Sequence, residues 1–224
     1  MNKYNVDRTY SYIKGYAMAK GWSNTIKALS FARKSHQNQM RDDGQLYIIH
    51  PLVMASHAIS LRFDDDAIVA TALLHDILED INGVEASMLP VDDSVIDEVV
   101  RLTFSKPKKM KDESYDDYKD RVEESKKIYY GHVARSRIAL IVKLLDRVNN
   151  VSSMSDSFDK DRLIRYIDET TEYVLPLIRK AKDEYPEYND QLFCIKYQMD
   201  SVIDTARKCI ELGSKIGGIS NNEL

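Results

Sequence analysis

The run Leu73-Leu74-His75-Asp76-Ile77-Leu78-Glu79-Asp80 sets four ionisable side chains into one of the most apolar stretches of the chain. Helical spacing puts His75 beside Glu79, and Asp76 beside Glu79 and Asp80, on neighbouring surfaces. Burying such carboxylates without partners costs on the order of several kcal/mol each. They therefore require a cation, hydrogen bonds or a water-filled cleft, and a bound metal supplies the first while making the third useful. A second group lies in Leu144-Leu145-Asp146-Arg147-Val148-Asn149-Asn150, where Asp146 interrupts a helix that is apolar on nearly all sides. Lys143 precedes it by three residues and Asn150 follows by four. A third group is Tyr47-Ile48-Ile49-His50-Pro51, read as a histidine held on a stiff extended segment. Two His and two Asp from three segments form a hard, mixed nitrogen and oxygen ligand set that suits manganese, iron or zinc.

The elements that position these residues are helical almost throughout. Only 8 Gly and 5 Pro in 224 residues leave few tight turns, so long regular elements are expected. Apolar spacing predicts helices over 6–20, closed by Gly21, and over 24–39. Leu46 to His50 reads as extended, because Pro51 disfavours a helical His50 and suits the first turn of a helix over 51–61. Asp64-Asp65-Asp66 is placed to cap an apolar helix over 66–79, ended by Asn82-Gly83. Further helices are expected over 92–103, 115–130 and 134–149, the last at the centre of a bundle. Two more, near 160–184 and 188–212, pack outside it, and the tail from Gly217 is expected to fray. With no repeat and no dividing linker, residues 1–224 read as a single all-α domain.

The order His50, then His75-Asp76, then Asp146 resembles the HD metal-dependent phosphohydrolase superfamily, whose core is a helical bundle. It is more closely similar to the hydrolase domain of RelA/SpoT-type alarmone enzymes and the small single-domain alarmone hydrolases. Three stretches carry the likeness: Phe31 to Arg41 running through Asp43-Gly44 to Tyr47-Ile48-Ile49-His50-Pro51, then Ala72 to Asp80, then Lys143 to Asn150. It spans about residues 24–153, with additional helices over about 155–212 that resemble no known pattern. The resemblance implies His50, His75, Asp76 and Asp146 as metal ligands, with Mn²⁺ as the expected ion and Fe or Zn as alternatives. It implies Glu79 and Asp80 as the catalytic pair that positions and activates water. Arg41 would contact a nucleotide base, Asn150 and Ser153 the sugar or phosphate region, and Tyr47 and Lys143 fall on substrate positions. The implied reaction releases the 3′-pyrophosphate of ppGpp or pppGpp. Asp42 stands where a basic residue usually follows the arginine, and Ser152 where an arginine often stands. Both reduce the positive charge expected in the pocket, which leaves ppApp or another nucleotide as alternative substrates. A non-catalytic nucleotide sensor is the alternative from another class.

The chemistry suits these residue types independently. A divalent ion acidifies water and polarises a phosphoryl oxygen. A carboxylate such as Glu79 or Asp80 takes the proton, and Arg41 or Lys143 neutralises charge. His36 on the second helix is expected to orient or pack rather than ligate.

Composition narrows the classes. A net charge of −4 argues against a nucleic-acid binder, which needs a basic surface. Lys106, Lys108, Lys109 and Lys111 are followed by Asp112, Glu113, Asp116 and Asp117 and read as a solvated loop. No apolar run approaches the ~18–20 residues of a membrane span, and no signal-peptide core opens the chain, so a cytoplasmic location is expected. Cys194 and Cys209 are expected to be reduced thiols.

Overall fold

The structure, a computed structural model, describes residues 5–41, 44–154 and 158–219, with side chains of the last segment as far as residue 212. It is all-helical, as the periodicity predicts. Among the described residues there is no strand, only an isolated antiparallel bridge between Met40 and Leu46. Helix α1 (Val6–Lys20) starts where the Asn5 side chain accepts from the Arg8 amide, and it ends at Gly21, whose φ of 69° is left-handed. Helices α2 (Ser23–Ser35) and α3 (Ile49–Ser60) follow, then α4 (Asp66–Leu74), capped by the Asp65 carboxylate on the Ala67 amide.

The short α5 (Ile77–Asp80) leads through a 3₁₀ turn to α6 (Asp93–Leu102), and a loop then enters α7 (Tyr115–Val133). Helix α8 (Arg137–Ser153) is followed by α9 (Lys160–Glu169), α10 (Leu175–Glu184) and α11 (Asn189–Ile219).

The centre belongs to α4 and α8. Residues Ile68 to Leu74 of α4 are buried without a break, as are Leu140 to Val142 and Leu144 to Val148 of α8. A helix that is buried all round needs neighbours on every side. Helices α2, α3, α6 and α8 supply them for α4, and α8 is covered further by α10 and α11. A smaller cluster of Val151, Met154, Ile167 and Ile203 ties the end of α8 to α9 and α11. No helix among the described residues is long and apolar enough to cross a membrane.

Several boundaries differ from expectation, each for a physical reason. Helix α2 stops at Ser35 rather than near Gln39, because the chain must turn at His36 into the loop that carries Gln39 and Arg41. His50 is not on an extended segment: it lies in the first turn of α3. Pro51 tolerates this because its absent amide hydrogen would have no helical partner there, and no preceding turn meets its ring. The helix expected over 66–79 is interrupted at His75 and Asp76, and the helix expected over 134–149 runs instead from Arg137 to Ser153. The long helix expected over 160–184 contains one π turn, Thr170–Val174. Pro176, just after it, lacks the amide hydrogen that would bond Glu172 in a continuous α-helix. The hydroxyls of Thr170 and Thr171 donate to the carbonyls of Tyr166 and Ile167, at 2.7 and 2.8 Å, and satisfy groups the turn disturbs. Asp42, one of the two departures from the family pattern, lies outside the described residues, as does the end of the tail beyond residue 219.

Candidate metal centre and substrate cleft

The break between α4 and α5 makes the site. Asp76 has φ −99° and ψ −1°, between the helical and extended regions, and its carbonyl accepts from the amides of Glu79 and Asp80 at 3.1 and 2.9 Å. Four side chains from three helices converge there. The Nε2 atoms of His50 and His75 are 3.2 Å apart. Asp76 Oδ2 is 2.8 Å from His75 Nε2 and 3.6 Å from His50 Nε2. Asp146 Oδ1 from the middle of α8 is 3.4 and 3.8 Å from the same two nitrogens.

Each histidine is aimed by its other ring nitrogen. His50 Nδ1 donates to the Asn149 side-chain oxygen at 2.7 Å, and His75 Nδ1 to the Ala72 carbonyl at 3.0 Å. This tautomer leaves both Nε2 lone pairs facing the carboxylates. Two nitrogen lone pairs, the buried Asp146 carboxylate and the half-buried Asp76 carboxylate in one spot repel one another unless a cation lies among them. Ligands bonded at about 2.1 Å on adjacent corners of one ion lie about 3 Å apart, so the mutual grouping of His50, His75 and Asp76 suits a single divalent ion, with Asp146 beside the two histidines.

Protonation follows the same logic. Burial alone would lower the His75 imidazole, but the Asp76 and Asp146 carboxylates raise it to about 9. Burial would raise Asp76, yet the His75 imidazole beside it holds it at about 2. Asp146 is held well below the usual carboxylate range against its burial, chiefly by Lys143, whose Nζ is 3.1 Å from Oδ2. Lys143 in turn stays charged despite burial because of Tyr129 and Asp146. In the metal-free protein the His75 proton thus occupies the cation's electrostatic place. It stabilises the fold fully below the ordinary 6.5 and is lost as pH rises through about 9. Since a metal must displace it, Mn²⁺ affinity measured by calorimetry should rise about tenfold per pH unit from neutrality towards pH 9, then level off. Affinity independent of pH over that range would contradict the assignment.

Beside the cluster opens a polar cleft of about 370 Å³. His50, Asp76 and Asp80 line its base, and Arg41 and Tyr47 come from the loop after α2. Asn150 and Ser153 enter from α8. All of these were anticipated from the sequence. Tyr47 spends its hydroxyl on Asp76 Oδ2 at 2.5 Å, and Asn150 donates to Asp146 Oδ1 at 2.6 Å. Glu79 and Lys143 do not line this cleft. Glu79 Oε1 accepts from the Phe104 amide at 2.5 Å, and burial pushes its carboxyl up. Ser152, the second departure, does not face the cleft either: it donates to the Val148 carbonyl and accepts from Gln198 on α11 at 2.9 Å.

Sequence reading missed the far wall. Phe158, Arg162 and Tyr166 line the cleft from the segment leading into α9 and from α9 itself. The Arg162 guanidinium lies 4.0 Å above the Phe158 ring, and Arg147, buried behind the wall, lies 4.3 Å above Tyr166. Arg162 and Tyr166 also border an adjoining cleft of about 560 Å³ that includes Lys106, Lys119 and Arg165. The i, i+4 spacing of Phe158, Arg162 and Tyr166 was the available signal. Asn149 was missed too, although it lies one helical turn from Asp146.

Comparison with known proteins places the chain in a family. Residues 28–174 match the family model described as HD domain, so the likeness extends past residue 153 into α9 and the π turn. A guanosine-3′,5′-bis(diphosphate) 3′-pyrophosphohydrolase of Haemophilus influenzae is 32% identical over 69% of this chain and 22% of its own length. The bifunctional (p)ppGpp synthase/hydrolase SpoT of Escherichia coli is 32% identical over 69% of this chain and 21% of its own. A GTP pyrophosphokinase of Myxococcus xanthus is 29% identical over 69% of this chain and 20% of its own. The chain thus spans about a fifth of these curated relatives. A solved structure described as a metazoan SpoT orthologue that hydrolyses ppGpp shares the fold. Its TM-score is 0.60 at 18% identity, over 82% of this chain and 95% of that one. The chain belongs to the HD domain family, whose members bind divalent metals, and it carries a histidine and aspartate cluster able to hold one.

Proposed function

We propose that this chain is a metal-dependent hydrolase of (p)ppGpp-like alarmones that releases the 3′-pyrophosphate and leaves GDP or GTP. The observation that carries the reading is the cluster of His50, His75 and Asp76, with Asp146 beside it, next to a polar cleft bordered by Arg41 and Arg162. Relatives named as 3′-pyrophosphohydrolases, matching over 69% of this chain, support the choice of substrate.

In this reading His50, His75, Asp76 and Asp146 are the metal ligands, and Mn²⁺ is the resident ion. When bound, the ion makes a water molecule more acidic and polarises a phosphoryl oxygen. Glu79 or Asp80 takes the water proton as its oxygen bonds to the phosphorus next to ribose O3′. The O3′–P bond breaks and the carboxylate gives the proton it took from water to O3′, which restores the 3′-hydroxyl. Arg41 and Arg162 neutralise the phosphate charge, and Arg41, Asn150 and Ser153 orient the nucleoside. Lys143 acts on Asp146 rather than on substrate in this geometry. In this reading the core and α9 work as one catalytic unit, since α9 supplies one wall of the cleft, and the protein acts in the cytoplasm.

The test is pyrophosphate release by the purified, Mn²⁺-loaded protein from ppGpp and ppApp, beside GTP and dGTP. Release from the 3′-pyrophosphorylated nucleotides alone is expected, and their ratio reports base choice. Turnover of GTP or dGTP instead would overturn the alarmone reading while keeping the metal centre. No turnover of any of the four would overturn catalysis and favour a sensor.

A further inference from the structure

His36 takes no part in the chemistry above, yet it is 1% exposed and sits at the turn from α2 into the loop that lines the cleft. Its Nδ1 is 2.6 Å from Gln39 Oε1, and Gln39 Nε2 donates to Asp80 Oδ2 at 3.1 Å. Its ring packs against Tyr47 at 4.8 Å between centroids. The loop is closed beneath it, since the Gln39 amide donates to the His36 carbonyl and the Tyr47 amide to the Gln39 carbonyl.

The hydrogen bonds can run in only one direction. An ionised carboxylate only accepts, so Gln39 must turn its NH₂ towards Asp80. That leaves Gln39 Oε1 facing His36, where only a protonated Nδ1 satisfies it. Burial holds the His36 imidazole below its ordinary value, so the ring is neutral and carries one N–H. With Nε2–H instead, Gln39 would have to present its NH₂ to His36 and its oxygen to Asp80, setting two acceptors against each other. The tautomer of a buried ring thus sets the amide, and the amide sets the carboxylate.

We propose that His36 is a positioning residue, which fixes the Asp80 carboxylate in the cleft through the side chain of Gln39. Its effect on catalysis rests on the reading of Asp80 as one of the water-activating pair. The orientation itself does not, so the two are tested separately.

Nitrogen-15 NMR of the metal-free protein reads the tautomer without any substrate. His36 should be protonated on Nδ1, and Gln39→Met should release that preference. A wild-type His36 protonated on Nε2 overturns the proposal whatever the substrate proves to be.

Kinetics of the Mn²⁺-loaded enzyme on ppGpp then reads the consequence. His36→Phe keeps the ring against Tyr47 and removes the donor. It should lower kcat about tenfold with KM within about twofold and metal content unchanged. His36→Asn places an amide nitrogen where Nδ1 stood and should recover most of the loss. Gln39→Met, at a half-buried position, should match His36→Phe, and the double variant should be no worse than Gln39→Met alone. Multiplying losses, or failure of His36→Asn to rescue, would assign His36 a packing role only. If the wild type does not hydrolyse ppGpp, the functional reading fails and the NMR result decides the orientation alone.

Discussion

Asp146→Ala should strip the divalent ion from the protein and lower turnover at least about 10³-fold. Asp146 Oδ1 lies 3.4 Å from His50 Nε2, where we propose it as a ligand, and its other oxygen compensates Lys143 at 3.1 Å. Its removal therefore deletes an anion and leaves a buried ammonium facing the site. One unit charge at ~4 Å contributes about 4 kcal/mol at an effective dielectric constant of ~20, equivalent to about three decades in affinity. Elemental analysis after gel filtration reads the metal, and pyrophosphate release reads turnover. Asp146→Asn retains one oxygen to accept from Lys143 or Asn150, and it should lose metal while folding more stably than the alanine variant. Full metal occupancy in Asp146→Ala would place the ion elsewhere.

The second large effect separates binding from chemistry. If Glu79 is the general base proposed above, Glu79→Gln should retain its metal and lose about 10²–10⁴-fold in kcat, the usual contribution of such a base. The Glu79 carboxylate bonds the Phe104 amide and makes no hydrogen bond or ion pair with the side chains of His50, His75 or Asp76, so metal retention should not depend on it. Burial raises its carboxyl, which brings its basicity closer to the working pH. The Phe104 amide engages only Oε1, and glutamine oxygen accepts the same bond, so the loop after α6 keeps its anchor. Metal content and the melting temperature should match the wild type while pyrophosphate release falls. An unchanged rate would hand the proton to Asp80 alone.

These variants rest on residues that were legible as chemistry before any fold was known. His50, His75, Asp76 and Asp146 stand among apolar neighbours, where an ionisable side chain is costly unless a cation or hydrogen bonds compensate it. The start of α4, the end of α1 and the central place of α8 were legible for similar reasons. A capping Asp, a Gly with positive φ and an all-round apolar pattern act within a few residues of where they stand.

What tertiary structure alone decided is how those residues are aimed. The α4 pattern continues smoothly through His75 and Asp76 in the sequence, yet the helix breaks there and the carboxylate turns inward. His50 is aimed by Asn149, 99 positions away, and Asp80 is held by Gln39, 41 positions away. The wall of Phe158, Arg162 and Tyr166 stands beside the His and Asp cluster, with the end of α9 tied down by Arg147 donating to Glu169 and Thr170 and by Ile167 in the apolar cluster. Hydrophobic periodicity encodes which face of an element is buried, because that depends on local spacing. Which distant donor meets which acceptor depends on how the helices pack, so it is decided only when α2, α3, α4, α8 and α9 come together around one buried charge cluster.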